Sequence, residues 1–564
     1  MNIVYGVPPK QPKNTWVSFD TEIFSLNTKQ MHRPTSGKFG CLTICTGEDV
    51  YYIDTIDQRL HHSFDAIEDC VWVAQKSDFD ITHLRRWTNI PPRKKLWDTM
   101  YIERIMWNGY YDGFSIADQI RRYLDIEVDK SLQKSFETAT EMSPEQIQYA
   151  CLDSYYTLQV AKEQKKVIDD KSFDVWKHID LPALWAVLDF KGFAVDVDRW
   201  VALAEKNRQR QVEIDEQLPF NPRSHTQVKK WFAEHKIVLE SSDEEHLQDV
   251  IRKNKRVDAT AMAQMILESR MYGKRASTYG KDWVDNYIEY EDGVPVVYSE
   301  FDINRAETGR MASSSPNLQN VPVRETPEFR ECFIARPGNS LVIADYSAQE
   351  PRVTAFLSQD KKFMEVFNRG EDIYIYMAKE IFHEDIKKGD PRRAQMKSLI
   401  LGMTYGLSKY GLAKREGIDV ETAEKLLTES FRLFPGVASW MEKQQKNKKY
   451  VTTVPGRKCW INPYSEQSKR NVLNSPIQGT AADMMKMAMG RLHEEWYTHS
   501  WGFDVPFGIC APIHDELILD VPTKIAQEVS TVLKKTMIDV AEQMCPGIKF
   551  NADIAIGSRW SEKH

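Results

Sequence analysis

Two short apolar runs with acids at their ends, far apart along the chain, constrain its fold more than any other feature. Ser340-Leu341-Val342-Ile343-Ala344 runs into Asp345, and Ile513-His514-Asp515-Glu516 leads into Leu517-Ile518-Leu519. Between them, from about residue 359 to 498, the pattern is mainly helical. Runs of this kind read as strands, and strands need partners to pair with. The simplest account is one strand-centred unit interrupted by a helical insertion, with acids from two strands brought to one place. His514-Asp515-Glu516 alone reads more readily as a turn, so the weight lies on the combination.

The first 90 residues or so are strand-rich, with β-favouring runs at 17–19, 42–45, 50–53 and 71–73. From Leu96 to about Ile168 the pattern turns helical, broken near Asn108-Gly109. The last helix opens on Ser143 as N-cap with Pro144 in its first turn. Strands first and helices after predict one α/β domain. Asp20 and Glu22 lie two apart in a strand, so both carboxylates face one spot, where they repel unless a cation separates them. Hard oxygen ligands in pairs suit Mg²⁺ or Mn²⁺. A lone Asp-x-Glu is weak, but Asp80 follows in Ser77-Asp78-Phe79-Asp80, and Tyr149 stands four before Asp153 on a predicted helix, sharing its face. Four carboxylates and a tyrosine are what two-metal phosphodiester hydrolysis needs, with Tyr149 placed to orient the attacking water.

Residues 181–208 hold a helix, a turn at Lys191-Gly192 and a second segment, and 225–290 read as helical. The latter carry basic clusters, Arg252, Lys253, Lys255, Arg256 and then Arg270, Lys274, Arg275. Alone, such clusters read as solvated helix faces. In the insertion, Arg393, Lys397, Leu401 and Tyr405 are spaced by four. They drift only ~40° per step and line one helix face over ~18 Å. Two cations, an apolar residue and an aromatic suit a triphosphate at one end and a sugar and base at the other. A basic helix start with a core stripe is the plainer reading, yet arginine at a helix N-terminus opposes the macrodipole and points to an anionic ligand. Asp345 and Asp515 would hold two Mg²⁺ on that triphosphate. Arg470, Asn474 and Gln478 are again spaced by four, and suit the minor-groove acceptors that all base pairs share.

Composition removes several classes. The 564 residues are 42% hydrophobic and 28% charged, which excludes a disordered or low-complexity chain. No window approaches 18 uninterrupted apolar residues, so no membrane helix is expected. The start has no signal-peptide pattern. The eight cysteines form no C-x-x-C pair and read as reduced cytosolic thiols. The net charge of −7 argues against a nucleic-acid binder. However, 22 Lys+Arg against 27 Asp+Glu fall within the first 180 residues, so the deficit sits mainly there. A local basic channel around an acidic centre is invisible to a chain-wide sum.

From about residue 180 to the end the chain resembles the family A DNA polymerases. DYSAQEPR (345–352), RRAQMKSLILGMTYG (392–406) and IHDEL (513–517) resemble motifs A, B and C of that family. TGRMASSSPNLQNVPVR (308–324), RNVLNSPIQGTAADMMK (470–486) and the Trp560–His564 terminus are similar to further signatures. The N-terminal unit resembles the DEDD 3′–5′ exonucleases, in the subtype with tyrosine as fifth residue. The resemblance implies a ribonuclease H-like domain at 1–170 and a right-hand polymerase at 171–564. Its thumb would span about 197–297, its palm about 298–358 and 499–564, and its fingers about 359–498. It further implies template-directed synthesis from dNTPs with proofreading, two Mg²⁺ per site, and a replicative, phage-type role without a 5′-nuclease domain. Primer-template DNA would be the partner of a cytoplasmic monomer, with a replisome or processivity factor plausible.

By the same resemblance Asp345 and Asp515 would hold metal, with Glu516 nearby. Glu350 would exclude a ribose 2′-OH, and Arg393 and Lys397 would bind triphosphate, Lys397 protonating the leaving pyrophosphate. Tyr405 would stack near the templating position. Arg310 and Gln478 would contact the minor groove, with Arg470, Asn474 and His514 as further substrate contacts. Thumb contacts would come from 225–290. Asp20, Glu22, Asp80 and Asp153 would hold the exonuclease metals. The chain departs from the pattern at Lys76, where asparagine is usual, at Ala348, Gln349 and Pro351 in motif A, at Tyr374 in place of a phosphate-binding histidine, and at Leu401 in place of an aromatic. Rival readings are an exonuclease with a degenerate polymerase region and a non-catalytic DNA binder. The second gains nothing from six acids facing a phosphate backbone.

Overall fold

The computed structural model describes all residues except 26–32, 34–35, 254–255, 323–326, 463, 503 and 564, and omits the side chains of 466, 467, 469 and 563. Lys255, His564 and residues 323–324 of the 308–324 motif therefore lie outside the described residues. The chain forms two compact units. The first comprises Met1–Lys191, Ser299–Gln319 and Asn339–Ile556, and the second Gly192–Tyr298, Asn320–Gly338 and Gly557–His564.

The first unit opens with a six-stranded sheet of β1 (Asn2–Tyr5), β2 (Trp16–Phe24), β3 (Lys38–Cys45), β4 (Asp49–Ile53), β5 (Val71–Ala74) and β6 (Leu96–Asp98), in the order β1-β4-β3-β2-β5-β6. The four expected strands are present. The short flanking strands β1 and β6 escaped the sequence reading because three or four residues carry no period. β2 pairs antiparallel with β3 and parallel with β5. Three helices concern the site, α1 (Ser77–Leu84), α2 (Thr99–Trp107) and α3 (Pro144–Val167). The α3 start follows from its sequence. The Ser143 hydroxyl accepts from the Gln146 N–H, the Gln146 side chain accepts from the Ser143 N–H, and Pro144 occupies the first turn. Helix α3 packs on β2 and β3. Phe19, Phe64 and Trp72 form the aromatic centre of this core, with ring centroids 5.3–6.1 Å apart.

The two acidic runs do share a sheet. Strands β7 (Asn339–Tyr346), β8 (Tyr450–Thr452), β9 (Lys458–Trp460), β10 (Ile509–Ile513), β11 (Glu516–Pro522) and β12 (Ala552–Gly557) follow in the chain, and β10-β11-β7-β12 form one sheet. β7 and β11 are antiparallel neighbours, with Ile343 opposite Ile518 and Asp345 opposite Glu516. The insertion between them is helical, and includes α4 (Gln349–Ser358), α5 (Ile373–Phe382), α6 (Pro391–Thr404) and the 31-residue α7 (Glu466–Trp496). The hairpin β8–β9 was not foreseen within it.

A fully buried ionic cluster joins three of these segments. Arg457, in the hairpin turn, donates to Asp180 at 2.5 and 2.9 Å and to Asp483 of α7 at 2.8 Å. Lys486 of α7 donates to the same Asp180 at 2.7 Å and to the Gly309 carbonyl at 3.1 Å. Two acids and two bases cancel, and the paired cations hold the Asp180 carboxyl below its ordinary range despite burial.

The second unit contains Val197–Gln217, His225–Glu234, Glu244–Lys253, Val257–Thr278 and Lys281–Tyr287 as helices, beside a sheet ordered Phe333–Ile334, Phe193–Val195, Val294–Val297, Ile288–Glu291. Trp200 stacks on Trp283 with centroids 3.9 Å apart. Its basic clusters are largely committed. Arg252 and Lys253 pair with Asp249, Arg256 pairs with Asp258, Arg270 donates to the Pro222 and Ser242 carbonyls, and Arg275 is buried. Lys274 is exposed. No helix among the described residues is long and apolar enough to cross a membrane.

Removing Asp180 leaves two buried cations short of a partner. Asp180→Ala is expected to cost about 3–5 kcal/mol, read as a lower urea midpoint, while exposed Lys274→Ala leaves the midpoint unchanged.

Candidate functional site

The N-terminal carboxylates converge as expected. β2 carries Asp20 and Glu22. Asp80 lies in the first turn of α1, where its Oδ1 accepts from the Thr21 N–H at 2.9 Å and the Thr21 hydroxyl at 2.6 Å. α1 is itself anchored at its start by Asp98, which accepts from the Ser77 N–H at 2.6 Å. Asp153 and Tyr149 project one turn apart from α3. Burial raises all four carboxyls. Asp20 is raised further by Asp80, Glu22 and Asp153, and Glu22 is pushed up to about 8 by burial and then by Asp153 and Asp80. Burial holds Asp80 at about 7 against the pull of its two Thr21 bonds.

One cation in this cluster was not foreseen. Lys130 Nζ donates to both Asp153 oxygens at 2.6 and 2.8 Å and to the Tyr149 hydroxyl at 3.1 Å. Its charge lowers Asp20 and Glu22, opposing the carboxylates. Nothing in the spacing marks Lys130, since it lies 23 residues from Asp153 and outside the helix that carries it. Buried hard-oxygen donors that repel one another are the chemistry of a divalent-cation site, so the residue set fits Mg²⁺ or Mn²⁺. Among the described residues no three ligating side chains are already closed around one point. Lys130 supplies part of the positive charge the set calls for.

The departure at Lys76 also has a structural outcome. Lys76 is in the left-handed region at φ 60°, and its Nζ pairs with Glu300 at 2.7 Å.

The second group lines a cleft of about 640 Å³ in the same unit, where Asp345, Asp515, Glu350, Arg310, Arg393, Lys397, Leu401, Tyr374 and His514 meet. Asp345 lies near the end of β7 and Asp515 in the turn between β10 and β11, and the Tyr346 N–H donates to the Asp515 carbonyl at 3.1 Å. Glu516 is buried and does not line the cleft, in contrast to His514 and Asp515. Glu350, in the first turn of α4, accepts from the Arg310 guanidinium and from the Tyr405 hydroxyl. Tyr405 caps α6 rather than continuing it. Burial and then Glu350 push its hydroxyl up, and the Gln478 side chain also bonds it.

Arg393 has an anionic partner that the sequence reading did not name. Its Nε and Nη2 donate to Asp372 Oδ2 at 2.9 and 2.6 Å, and its guanidinium lies 5.4 Å from the Tyr374 ring centre. Asp372 Oδ1 meanwhile caps α5 by accepting from the Tyr374 and Ile375 N–H groups. Lys397 is exposed and has no carboxylate partner among the described residues. Lys388, Asn551 and Asp553 line the cleft as well and carried no motif signal. On α7, Arg470 is exposed, while Asn474 Oδ1 is buried with no hydrogen-bond partner among the described residues. An orphaned acceptor costs about 1–3 kcal/mol and marks a position that a donor would satisfy.

The profile described as DNA polymerase family A matches residues 199–562, and that described as 3′-5′ exonuclease matches 10–169. The chain belongs to DNA polymerase family A. It is 28% identical to DNA polymerase I of Chloroflexus aurantiacus over 73% of this chain and 46% of that protein. It is 34% identical to the thermostable DNA polymerase I of Thermus filiformis over 54% of this chain and 37% of that one. For DNA polymerase I of Pseudomonas aeruginosa the figures are 32%, 54% and 34%. The chain thus spans less than half the length of these relatives. The fold matches the POL domain of Pol1 from M. smegmatis, in complex with DNA primer-template and dNTP, at a TM-score of 0.83, 22% identity and 99% coverage of both chains. An exonuclease domain is therefore followed by a polymerase domain of mixed α/β fold.

The raised carboxyls set a pH dependence. Glu22 lies near 8 in the fold against an ordinary 4.5, so its contribution is full below about 4.5 and lost as pH rises through about 8. In EDTA the melting temperature is expected to fall across that window. Glu22→Gln should flatten the fall, and Mg²⁺ should restore stability at the alkaline end.

Proposed function

We propose that the chain is a template-directed DNA polymerase with a 3′–5′ proofreading exonuclease, serving replication. The observation that carries this reading is the meeting, in one cleft, of two strand-end aspartates with Arg393, Lys397 and the Glu350 cluster. In the right-hand description, the palm comprises about 298–358 and 499–564, the fingers 359–498 and the thumb 197–297, with the exonuclease at 1–170.

Asp345 and Asp515 would hold the Mg²⁺ of the synthetic site, and Asp20, Glu22, Asp80 and Asp153 that of the editing site. Bound there, divalent cations supply Lewis-acid stabilisation of charge developing on phosphate. In synthesis the primer 3′-oxygen attacks the α-phosphorus of a dNTP, and pyrophosphate leaves. Arg393 and Lys397 grip the triphosphate, and Lys397 delivers a proton to the leaving group. Arg393 must exchange Asp372 for phosphate as the nucleotide enters. Glu350, held by Arg310 and Tyr405, presents the wall against which a 2′-OH would clash. Tyr405 flanks the templating base. Arg310, Arg470, Asn474 and Gln478 follow the minor groove, and Asn474 finds its donor there. In editing, Tyr149 orients the water that cleaves the terminal phosphodiester. Glu516 is assigned a supporting role behind Asp345, and His514 a substrate contact.

Primer extension with Mg²⁺, with and without dNTPs, tests the whole reading. The primer should grow with dNTPs and shorten without them. Asp345→Asn is expected to abolish extension and spare shortening, and Asp20→Ala to do the reverse; retained extension in the first variant would refute the assignment. Leu401 supplies less ring surface to the incoming sugar than an aromatic. Leu401→Phe is therefore expected to change both incorporation rate and selection against dideoxynucleotides, measured in single-turnover assays.

A further inference from the structure

Beside the two sites, the first unit carries an aromatic and basic surface that the proposed chemistry does not use. Trp107, Tyr110 and Tyr111 at the end of α2 meet Tyr450 and Trp460 of the β8–β9 hairpin. Trp107 stacks on Trp460 with centroids 5.3 Å apart, and Tyr110 meets the same indole edge-on at 5.1 Å. The assembly is pinned by backbone. The Trp460 N–H donates to the Asn108 carbonyl at 2.9 Å, and its indole N–H donates to the Met106 carbonyl at 2.7 Å. Gly109 has φ +83°, and a Cβ there would lie 2.5 Å from the Trp460 carbonyl oxygen, so this approach requires glycine.

Rings so well packed would ordinarily be covered, yet Tyr110 is 57% exposed; Tyr464, four residues past Trp460 in the chain and not in ring contact with the cluster among the described residues, is 94% exposed. The hairpin also concentrates positive charge. Residues 442–464 contain six Lys and Arg against one Glu, in a chain of net charge −7. Lys446 is paired with Glu442 and Lys458 with Asp169, and Arg457 is buried in the ionic cluster. Lys443, Lys448 and Lys449 are exposed with no carboxylate partner among the described residues, and Lys449 Nζ lies 5.7 Å from the Trp460 ring centre.

Exposed rings among unpaired lysines form a stacking platform with a phosphate-attracting rim. A duplex hides its base faces, so the ligand must be single-stranded. We propose that this surface binds the unpaired template strand ahead of the synthetic site. The polarity follows from demand: rings and lysines together need several unpaired nucleotides at once, which a template overhang offers throughout synthesis and a frayed primer end does not. The hairpin leads directly into α7, so the platform is continuous in the chain with the proposed duplex contacts. The inference rests on the proposed polymerase function.

The test is anisotropy of labelled primer-template in EDTA, with template overhangs of one or ten nucleotides and, as a third substrate, a short overhang with an unpaired primer 3′ end. The wild-type chain should bind the long overhang about tenfold more tightly. Two variants, Tyr110→Leu/Tyr464→Leu and Lys448→Gln/Lys449→Gln, should each reduce that preference while leaving the short-overhang affinity unchanged. The lysine variant should also lower the salt dependence of the preference. Equal weakening for both overhangs, or an undiminished preference in both variants, overturns the proposal. So does a loss confined to substrates with an unpaired primer 3′ end, which would assign the surface to the editing strand. Failure of the wild-type chain to bind either substrate would instead overturn the polymerase reading itself.

Discussion

The antiparallel pairing of β7 with β11 is the interaction on which the functional architecture depends. Its register places Ile343 against Ile518 and Asp345 against Glu516, and the Tyr346 N–H against the Asp515 carbonyl. These two apolar strands are the central pair of the sheet, flanked by β10 and β12, and they bring their acidic ends to one rim. A slip of one residue would turn every side chain to the opposite face, moving Asp345 away from the cleft and mismatching side chains that are packed on both faces of the sheet. The burial of Leu341, Ile343, Leu517 and Leu519 therefore fixes the position of two carboxylates as firmly as it fixes the core.

Buried charge organises the rest, and the fold treats it in two ways. Asp180 receives two internal cations and stays ionised below the ordinary carboxylate range. The four N-terminal carboxylates receive one lysine between them, and burial raises them instead. The first arrangement is closed and structural. The second is incomplete in charge and suits an incoming cation. In the cleft, Arg393 shows a third arrangement, held by Asp372 in a pairing that a more highly charged anion would displace.

Much of the local structure was legible from residue types. The Ser143, Pro144 and Gln146 start of α3, the period-two placement of Asp20 and Glu22, and the four-residue stripe from Arg393 to Leu401 all follow from chain geometry over a few residues. Three-residue strands such as β6 and β9 were not legible, because no period can be read over so short a run. Tyr405 left the stripe because the helix ends at Thr404 and its ring turns to Glu350. The basic residues of 252–275 read as a DNA-facing cluster only under the family resemblance; among those described, most are held in the fold by nearby acids or carbonyls, as a solvated helix face would be.

The sequence by itself determined which groups are present and how neighbours along a helix or strand align, since those relations depend on backbone periods of two and 3.6 residues. The resemblance of its motifs to a known family, which names the two aspartates and the order of domains, is likewise carried by the residues alone. Only the tertiary structure decided which charges meet. Lys130 with Asp153, Arg393 with Asp372, and Asp180 with Arg457 and Lys486 are partners across loops or across most of the chain. Protonation depends on burial and on partners a few ångströms away, and neither distance nor burial is encoded in any short stretch of residues.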